Sequence, residues 1–377
     1  MQFSAMVKVN HLYIHLPFCA RRCGYCDFYS TAGSLALAPA YVEALLCELQ
    51  EAAPLFGALE TVYLGGGTPT LLGGDLLGRL LAALTERLTA GAEVTVEANP
   101  ATVTPRLAGE LAAAGVNRVS LGVQSFNVRL LANLGRAGSA AAVEPAVNVL
   151  FGAGIVNLGL DLIFAVPGQS ASDLKDDVRR AVALKPKHVS CYELSVAEGS
   201  AFQRRWEEEL KQQSAVSLLY YETVVDILED AGYKWYETSN FALPGWECRH
   251  NLAYWRGADY LGLGAGAWST VGLKRWRNPE DIDRYVGGGF MRERHWEELA
   301  PPQKAAERLL LGLRLKQGIS MAGYEGMFDY VQLNLLLRNG FLQTVGGKIY
   351  LTRAGRFAAN EVCARLLQNW EETGAGG

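Results

Sequence analysis

The sequence has no strong excess of charge and no long apolar run. Its 377 residues carry a formal net charge of -4, whereas a protein that binds nucleic acid normally presents a basic face. No apolar stretch approaches the ~20 residues that a membrane-spanning helix needs. The start of the chain lacks the basic region, apolar stretch and cleavage site of a secretory signal. We therefore expect a cytoplasmic protein that has no transmembrane segment and binds no nucleic acid.

Cysteine is also scarce. The chain has seven cysteines, an odd number, and they do not form the dense framework of a small disulfide-linked secreted protein. Three of them, Cys19, Cys23 and Cys26, fall on one short segment, and the other four are scattered. Clustered cysteines in a reducing compartment bind metal more often than they form disulfides. This segment is therefore the first candidate for a functional site.

The alternation of strand-like and helical segments along the chain predicts an α/β fold. Strand-like runs cover residues 11–16, 61–64, 93–97, 118–123, 157–164 and 188–194, with a seventh candidate at 233–238. Segments with helical periodicity lie between them, including 41–53, 76–88, 106–114 and 206–231. Repeated β–α units predict a parallel sheet covered by helices. About six units are too few for an eight-fold barrel, so we predict a partial (β/α)6 TIM-like barrel.

The pattern changes after about residue 240. Residues 240–300 are rich in Trp, Gly and Arg and are expected to be irregular. From Pro301 onward helical segments return, and two β-prone runs at 341–344 and 348–351 flank Gly346 and Gly347, which predicts a hairpin. Helices followed by a hairpin predict a smaller, mainly helical, winged-helix-like C-terminal domain. Because it has no basic stripe, we interpret it as a protein-interaction or lid module. The tail, 371–377, is expected to be disordered.

The cysteine segment has the spacing Cys-x3-Cys-x2-Cys, formed by Cys19, Cys23 and Cys26. Three thiolates on one tight loop can hold three irons of a cubane cluster and leave the fourth iron open for chemistry. A structural zinc site would normally need a fourth ligand. His15 is the nearest candidate, but it lies within a strand-like run. Chance clustering of three buried cysteines is the remaining alternative.

This loop resembles the signature of the radical S-adenosylmethionine (SAM) superfamily. The resemblance implies a 4Fe–4S cluster on the three cysteines. It also implies SAM, whose amino and carboxylate groups chelate the fourth iron. In that family, electron transfer from the cluster cleaves the sulfonium. The cofactor carries this chemistry, and the protein orients it and excludes water.

Further segments support the resemblance. Gly65-Gly66-Gly67-Thr68-Pro69-Thr70 follows the second strand-like run and lacks the Gly-Lys-Ser/Thr ending of a phosphate loop. Glycines there let the backbone approach a ligand closely. Polar residues also stand at or near successive strand ends, where parallel α/β folds bind ligands; they are Glu97, Gln124, Arg136 and Asp161. Singly each suits a structural role, but together they indicate a binding site.

These segments resemble the branch that contains oxygen-independent coproporphyrinogen III oxidase and the heme chaperone HemW, over nearly the whole chain. The resemblance implies a radical SAM core over residues 5–240 and a C-terminal domain of the HemN and HemW type over residues 241–377. The cofactor contacts that it implies are Tyr13, Tyr25, Gly66, Gly67, Thr68, Glu97, Gln124, Arg136 and Asp161, with Ser195 as a weaker match.

Two features favour the heme chaperone over the oxidase. The oxidase extends its loop to a fourth cysteine two residues after the third, and this chain has Phe28 there. The segment Arg249-His250-Asn251-Leu252-Ala253-Tyr254-Trp255 resembles the His-Asn-x-x-Tyr-Trp motif of the chaperone, which is associated with heme. Histidine is a common heme ligand, although a histidine among aromatic residues is by itself as typical of a core. Cys248 and His295 are alternative ligands.

The sequence therefore predicts a heme chaperone that binds a 4Fe–4S cluster, SAM and heme and delivers heme to acceptor proteins. It is predicted to lack coproporphyrinogen oxidase activity. The oxidase itself, another radical enzyme acting on a tetrapyrrole, and a binding protein with a structural metal are the alternatives. Two histidines that relatives often carry are replaced by Gly138 and Trp268, which weakens the case for heme handling. A homodimer and transient membrane association are compatible with the sequence.

Overall fold

The computed structural model describes residues 8–136 and 140–367. The tail 371–377, Gly138 and the first residues of the predicted 5–240 core lie outside this part of the chain. The strands are β1 (Val9–Leu16), β2 (Phe18–Cys19), β3 (Thr31–Ala32), β4 (Phe56–Gly66), β5 (Leu88–Ala98), β6 (Arg118–Gln124), β7 (Asn157–Phe164), β8 (His188–Glu193), β9 (Lys234–Glu237), β10 (Asn240–Ala242), β11 (Leu261–Leu263), β12 (Trp268–Val271), β13 (Lys274–Arg277), β14 (His295–Glu298), β15 (Ile319–Ser320), β16 (Leu342–Val345) and β17 (Lys348–Leu351).

The helices alternate with these strands in the first two thirds of the chain. They are α1 (Ala38–Ala52), α2 (Gly73–Ala82), α3 (Pro105–Ala113), α4 (Val128–Asn133), α5 (Val143–Gly152), α6 (Ala171–Ala183), α7 (Ala201–Arg205), α8 (Glu207–Asp230), α9 (Arg249–Trp255), α10 (Ile282–Val286), α11 (Gly289–Arg292), α12 (Pro301–Leu313), α13 (Tyr330–Arg338), α14 (Arg353–Phe357) and α15 (Ala359–Leu366). Local chemistry starts several of them; at α6, for example, Ser170 and Asp173 form a capping box.

The predicted partial barrel is confirmed. Strands β1, β4, β5, β6, β7 and β8 pair in parallel in that order, which accounts for the six predicted units. Strand β11 extends the sheet in parallel beyond β1. At the other edge β10 and β9 are added antiparallel. The seventh predicted strand is thus β9, one arm of an antiparallel pair and not a further β–α unit.

The two faces of this sheet differ in chemistry because side chains alternate along a strand. On β1, Leu12, Ile14 and Leu16 are buried in the large hydrophobic core that the helices cover. The alternate residues Tyr13 and His15 lie on the opposite face. The same alternation on the neighbouring strands collects polar side chains inside the barrel, and this inner face carries the candidate site.

Two predictions about local structure are wrong. The helix predicted over 76–88 ends at Ala82, and Leu88 begins β5, where it pairs with Leu59 of β4. Sheet pairing overrides the local helical pattern there. Residues 240–300 are more ordered than expected, because β11 joins the main sheet and β12, β13 and β14 form a three-stranded antiparallel sheet. Strand β11 pairs with β1, a distant partner that local sequence does not reveal, whereas β12 and β13 are consecutive strands joined by a two-residue turn.

The C-terminal part has its own hydrophobic core, from Ala306 to Leu367. The predicted hairpin is confirmed, since β16 pairs antiparallel with β17. Gly346 and Gly347 both have positive φ values, 58° and 75°, which a two-residue turn of this hand requires. Helices α12 and α13 precede the hairpin, as a winged-helix-like layout needs. The predicted boundary between the two domains at residue 241 stays a prediction. Strand β11 comes after this boundary but belongs to the main sheet.

Candidate functional site

The cysteine loop follows β1 and is anchored by backbone pairing. Phe18–Cys19 pairs in parallel with Thr31–Ala32, and the Gly24 N–H donates to the Leu134 carbonyl at 3.3 Å. A Cβ on Gly24 would lie 2.9 Å from the Phe202 ring of α7, so only glycine fits here without a shift. The three thiols, on Cys19, Cys23 and Cys26, are free and partly exposed. The loop therefore presents all three to one side of the barrel mouth.

The surroundings of these thiols fit a cluster. Ser30 Oγ is buried without a hydrogen-bond partner, yet it lies close enough to Cys19 to lower the pKa of its thiol against the raising effect of burial. Such a hydroxyl can donate to a thiolate or cluster sulfur. Within residues 8–136 and 140–367, no three His, Cys, Asp or Glu side chains gather around a single metal-ion position. A cubane cluster is a larger target, because each thiolate binds a different iron.

The glycine-rich loop lies directly beneath the cysteine loop. The Gly67 N–H donates to the Leu16 carbonyl at 2.9 Å, and the Thr68 N–H donates to the Phe18 carbonyl at 2.7 Å. A Cβ on Gly67 would lie 2.6 Å from the Phe18 carbonyl oxygen, and one on Gly66 would lie 2.4 Å from the nearest atom of the His15 ring. With φ at +107°, Gly66 also has a backbone conformation that other residues rarely adopt. The glycines thus let two loops meet without side chains between them.

Glu97 stands at the end of β5 beside this loop. Its carboxylate accepts hydrogen bonds from the Tyr63 hydroxyl at 2.8 Å and the Gly66 N–H at 3.0 Å. Burial, together with the smaller effect of the nearby Asp161, raises the pKa of Glu97 to about 7. A half-buried carboxylate with so high a pKa is poised to accept a cation or a hydroxyl donor.

Of the other predicted polar residues, Gln124 ends β6, Asp161 lies within β7 and Arg136 follows α4. Asp161 accepts hydrogen bonds from the Ser120 hydroxyl at 3.0 Å, and burial raises the pKa of Asp161. The Arg136 guanidinium donates to the Gly122 carbonyl at 2.5 Å. Gln124 has a left-handed backbone with φ at 67°, an uncommon and costly conformation for a residue with a side chain. Strain of this kind is typical of binding sites.

The two predicted tyrosines each contact a neighbouring ring, and Ser195 lies in the segment that follows β8. The Tyr13 hydroxyl is 2.9 Å from His15 Nδ1, and Tyr25 packs edge-on against the Phe202 ring with centroids 6.4 Å apart. Ser195 is exposed in the segment after β8. Phe28, which takes the place of the oxidase's fourth cysteine, has 69% of its surface exposed. It therefore does not help to close the loop over the site.

His250 lies elsewhere, toward the opposite end of the barrel. Its Nδ1 atom is 2.8 Å from the Thr61 hydroxyl, whereas the glycine loop begins at Gly65, four residues further along β4. At ~3.3 Å per residue, Thr61 lies roughly 13 Å along the strand from the start of the glycine loop. The Glu93 carboxylate accepts from the backbone N–H groups of Arg249 and His250, both at 3.1 Å, and so caps α9. The structure does not bring His250 together with the cysteine site.

A small pocket opens beside His250. It has an empty volume of about 170 Å³, and its lining residues are His11, His250, Ala253, Tyr254, Ala258 and Tyr260. The Tyr63 ring packs against His250 with centroids 5.2 Å apart. Tyr254 stands partly in solvent, with 45% of its surface exposed. The motif therefore forms an aromatic-walled recess with an imidazole at its base.

The alternative ligands are poorly placed for this pocket. Cys248 is fully buried and its thiol contacts Glu93, and burial raises its pKa to about 12. His295 is exposed on β14, where it pairs with Arg277. Trp268, at a position where relatives often have histidine, pairs with Arg277 on the facing strand. None of these three residues lines the pocket.

Sequence reasoning missed three residues that organise the inner face. They are Thr61, which contacts His250, Tyr63, which contacts both Glu97 and His250, and Glu93, which caps α9. Thr61 and Tyr63 share one face of β4 with the glycine loop, so strand alternation could have pointed to them. Glu93 could not be found this way, because its partner lies more than 150 positions away.

Comparisons with known proteins agree with this geometry. The radical SAM superfamily model matches residues 13–181, and the HemN C-terminal domain model matches residues 299–358. The heme chaperone HemW of Mycobacterium tuberculosis is 39% identical over 94% of this chain and 94% of its own length. HemW of Lactococcus lactis is 36% identical over 96% and 98%, and HemW of Escherichia coli is 34% identical over 96% and 100%.

One solved structure shares the whole fold. Coproporphyrinogen III oxidase (HemN) from Escherichia coli, described as a radical SAM enzyme, superposes with a TM-score of 0.77 over 94% of this chain and 89% of its own. Its sequence identity is 22%, so this likeness concerns the fold. In the described residues, no helix is both long and apolar enough to cross a membrane.

Proposed function

Since the chain belongs to the heme chaperone HemW family of the radical SAM superfamily, we propose that it binds heme and passes it to acceptor proteins. Membership of the superfamily implies a 4Fe–4S cluster and SAM. The observation that carries the heme part of the proposal is the pocket whose lining includes His250 and Tyr254 of the His-Asn-x-x-Tyr-Trp motif, with Tyr260 beside them.

The cluster end would use the residues at the barrel mouth. Cys19, Cys23 and Cys26 would hold three irons, and the fourth would be left for SAM. When bound, the cluster supplies one-electron chemistry to SAM. Because Gly66 and Gly67 have no side chains, the methionine part of SAM would be able to lie close to their backbone. Glu97 would accept hydrogen bonds from the amino group or the ribose of SAM. The other contacts proposed for SAM are Tyr13, Tyr25, Thr68, Gln124, Arg136 and Asp161.

The heme end would use the pocket at His250. The enclosed part of this recess has room for little more than one water molecule, so it cannot enclose a macrocycle. A macrocycle would therefore lie across the mouth, with Tyr254 at the rim and the imidazole facing the iron. Aromatic side chains suit the flat apolar face of a porphyrin. Few side chains line this end, so His250 would contribute a large share of the affinity.

A heme titration tests this function. Anaerobic reconstitution with iron and sulfide should give about four irons per chain, and Cys19→Ala should abolish it. Heme added to the reconstituted protein should give a saturable shift of the Soret band, and His250→Ala should weaken it strongly. His295→Ala, an exposed histidine outside the pocket, is the matched control. Saturable binding that is unchanged in His250→Ala would remove the motif from the heme site.

The oxidase is the competing function. Anaerobic incubation with coproporphyrinogen III, a reductant and SAM should yield no protoporphyrinogen, because Phe28 stands where the oxidase resemblance requires a fourth cysteine. Formation of protoporphyrinogen together with 5′-deoxyadenosine would replace the chaperone proposal. The division into a core over 5–240 and a C-terminal domain over 241–377, the cytoplasmic location, a homodimer and transient membrane association stay predictions.

A further inference from the structure

Two histidines share one buried hydroxyl inside the barrel. Thr61, only 1% exposed, lies opposite His11 in the pairing of β1 with β4. Its Oγ1 atom is 3.0 Å from His11 Nδ1 and 2.8 Å from His250 Nδ1. In the described structure these two contacts are the hydrogen bonds of that hydroxyl. Both imidazoles also line the same pocket.

Counting hydrogens limits how this trio can be arranged. A threonine hydroxyl has one hydrogen to donate and lone pairs that accept. If Thr61 donates to one imidazole, it must accept an N–H from the other. If both imidazoles donated to it, its own hydrogen would be buried without an acceptor, which costs free energy. Two acceptor nitrogens would compete for a single hydrogen. The satisfied arrangement gives His11 and His250 opposite roles.

Opposite roles mean opposite tautomers. An imidazole with its ordinary pKa of ~6.5 is mostly neutral at pH 7, so each ring carries one N–H. The ring that donates through Nδ1 has a bare Nε2, and the other ring has its hydrogen on Nε2. Neither Nε2 has a hydrogen-bond partner in the part of the chain that the structure describes.

A bare Nε2 facing a pocket is the form of imidazole that binds a metal. The hydrogen bond at the other ring nitrogen fixes the tautomer and orients the ring. Here the fixing group is the Thr61 hydroxyl, and its direction is set by the second histidine. The Tyr63 ring holds His250 from the side. One of the two imidazoles thus has the tautomer that can bind iron, and the other holds it in that tautomer through the Thr61 hydroxyl.

We infer that His11 is a second residue of the heme site, and that the Thr61 hydroxyl makes His11 and His250 a tautomer pair with one bare nitrogen facing the pocket. The inference rests on the proposed function for the identity of the ligand. The trio itself rests on the geometry alone. Thr61 is a positioning residue, because it acts on the iron through the imidazole and does not reach the pocket.

The pairing can be tested without heme. The chain has only five histidines, so ¹⁵N-histidine labelling gives few ring signals, which His11→Ala and His250→Ala would assign. Long-range ¹H–¹⁵N spectra should show one ring of the pair protonated at Nδ1 and the other at Nε2. In Thr61→Val this fixed relation should be lost, and in Thr61→Ser it should be kept. The same tautomer on both rings of wild type would overturn the inference.

The heme role is tested by titrating the same variants. Loss of a group that orients a metal ligand typically weakens metal binding about 10- to 100-fold, so we expect Thr61→Val and His11→Ala each to raise the Kd for heme at least about tenfold. Thr61→Ser should bind like wild type. The matched control is Thr95→Val, because Thr95 is fully buried on the adjacent strand and its hydroxyl has no hydrogen-bond partner.

The outcomes separate the two proposals. Near-normal heme binding by both Thr61→Val and His11→Ala, with wild type saturable, would overturn this inference and leave the chaperone function intact. No saturable binding by wild type would overturn the proposed function and the heme assignment, while the tautomer spectra would still decide the pairing. Iron content and the thermal melt of each variant show whether it folds. Weak binding in Thr61→Ser as well would mean that packing, not the hydroxyl, matters.

Discussion

The carboxyl group of Glu97 should make SAM affinity depend on pH in a way that Glu97→Gln removes. The pKa of Glu97 is raised to about 7 by burial, so near neutral pH the group is about half ionised. An N–H or hydroxyl donor of SAM prefers the ionised carboxylate. Binding should therefore strengthen as pH rises through 7, the direction in which the carboxylate forms.

The size of the effect follows from that pKa. If only the ionised form binds, the apparent Kd varies as the reciprocal of the ionised fraction. That fraction is about one tenth at pH 6 and about nine tenths at pH 8, so Glu97 alone should improve affinity about tenfold across this interval. At pH 8, Glu97→Gln should lose a charge-assisted hydrogen bond worth about 1.5–3 kcal/mol, which corresponds to on the order of 10- to 100-fold in Kd.

The assay is calorimetric titration of SAM into anaerobically reconstituted protein at several pH values. The amino group of SAM titrates too, with a pKa near ~8, so the wild-type profile alone does not isolate Glu97. The difference between wild type and Glu97→Gln does. Glu86→Gln, an exposed residue before β5, is the control. Parallel profiles for wild type and Glu97→Gln would refute the reasoning.

Three stability predictions follow from backbone and buried charge, each measured by thermal denaturation. Gly66→Ala should destabilise the folded protein by more than about 1 kcal/mol, because its Cβ would clash with the His15 ring and φ is positive. Gly78→Ala, which has open space around it in α2, should stabilise the fold by about 0.5–1 kcal/mol. Equal effects of the two substitutions would contradict this account. Gln124→Gly should relieve a strained φ of 67° and stabilise the fold by up to about 1 kcal/mol. The same substitution should lower the affinity for SAM. A lower Tm in this variant would show that the strain is absent. Arg294→Ala should lower the free energy of unfolding by about 3–5 kcal/mol, because it removes the ion-pair partner that lies 2.9 Å from the fully buried Glu48 carboxylate. Adding Glu48→Gln should recover part of that loss. No recovery would mean that lost packing, and not the unpaired charge, causes the effect.

Much of the fold could be predicted because local pattern and sheet pairing agree. Strand β7 has the predicted bounds, 157–164, since a mostly apolar run, interrupted by Asp161, suits a parallel strand that is covered on one face and packed in the barrel on the other. The hairpin at Gly346 and Gly347 was predicted because its turn requires residues that tolerate positive φ. The helix over 76–88 failed where pairing with a distant strand decided the structure of Leu88.

The cluster loop could be found from the sequence because its chemistry is local. Cys19, Cys23 and Cys26 are close along the chain, so any compact loop brings their thiols together, and a short glycine run is recognisable wherever it lies. Glu97 and Gln124 stand at the ends of β5 and β6, where parallel strands bring their carboxyl ends to one edge of the sheet, whereas Asp161 lies within β7 and Arg136 follows α4. Their contacts with SAM stay predictions. For the three cysteines, spacing along the chain already implies proximity.

What only the tertiary structure decided is where His250 lies and what touches it. The sequence alone determined that this histidine belongs to a distinctive motif, but its partners come from β1, β4 and β5, far away in the chain. Folding sets it toward the end of the barrel away from the cysteine loop, on a hydroxyl that it shares with His11. Hydrogen bonds depend on contact in space, and contacts between distant strands are fixed by how the sheet closes, not by local spacing.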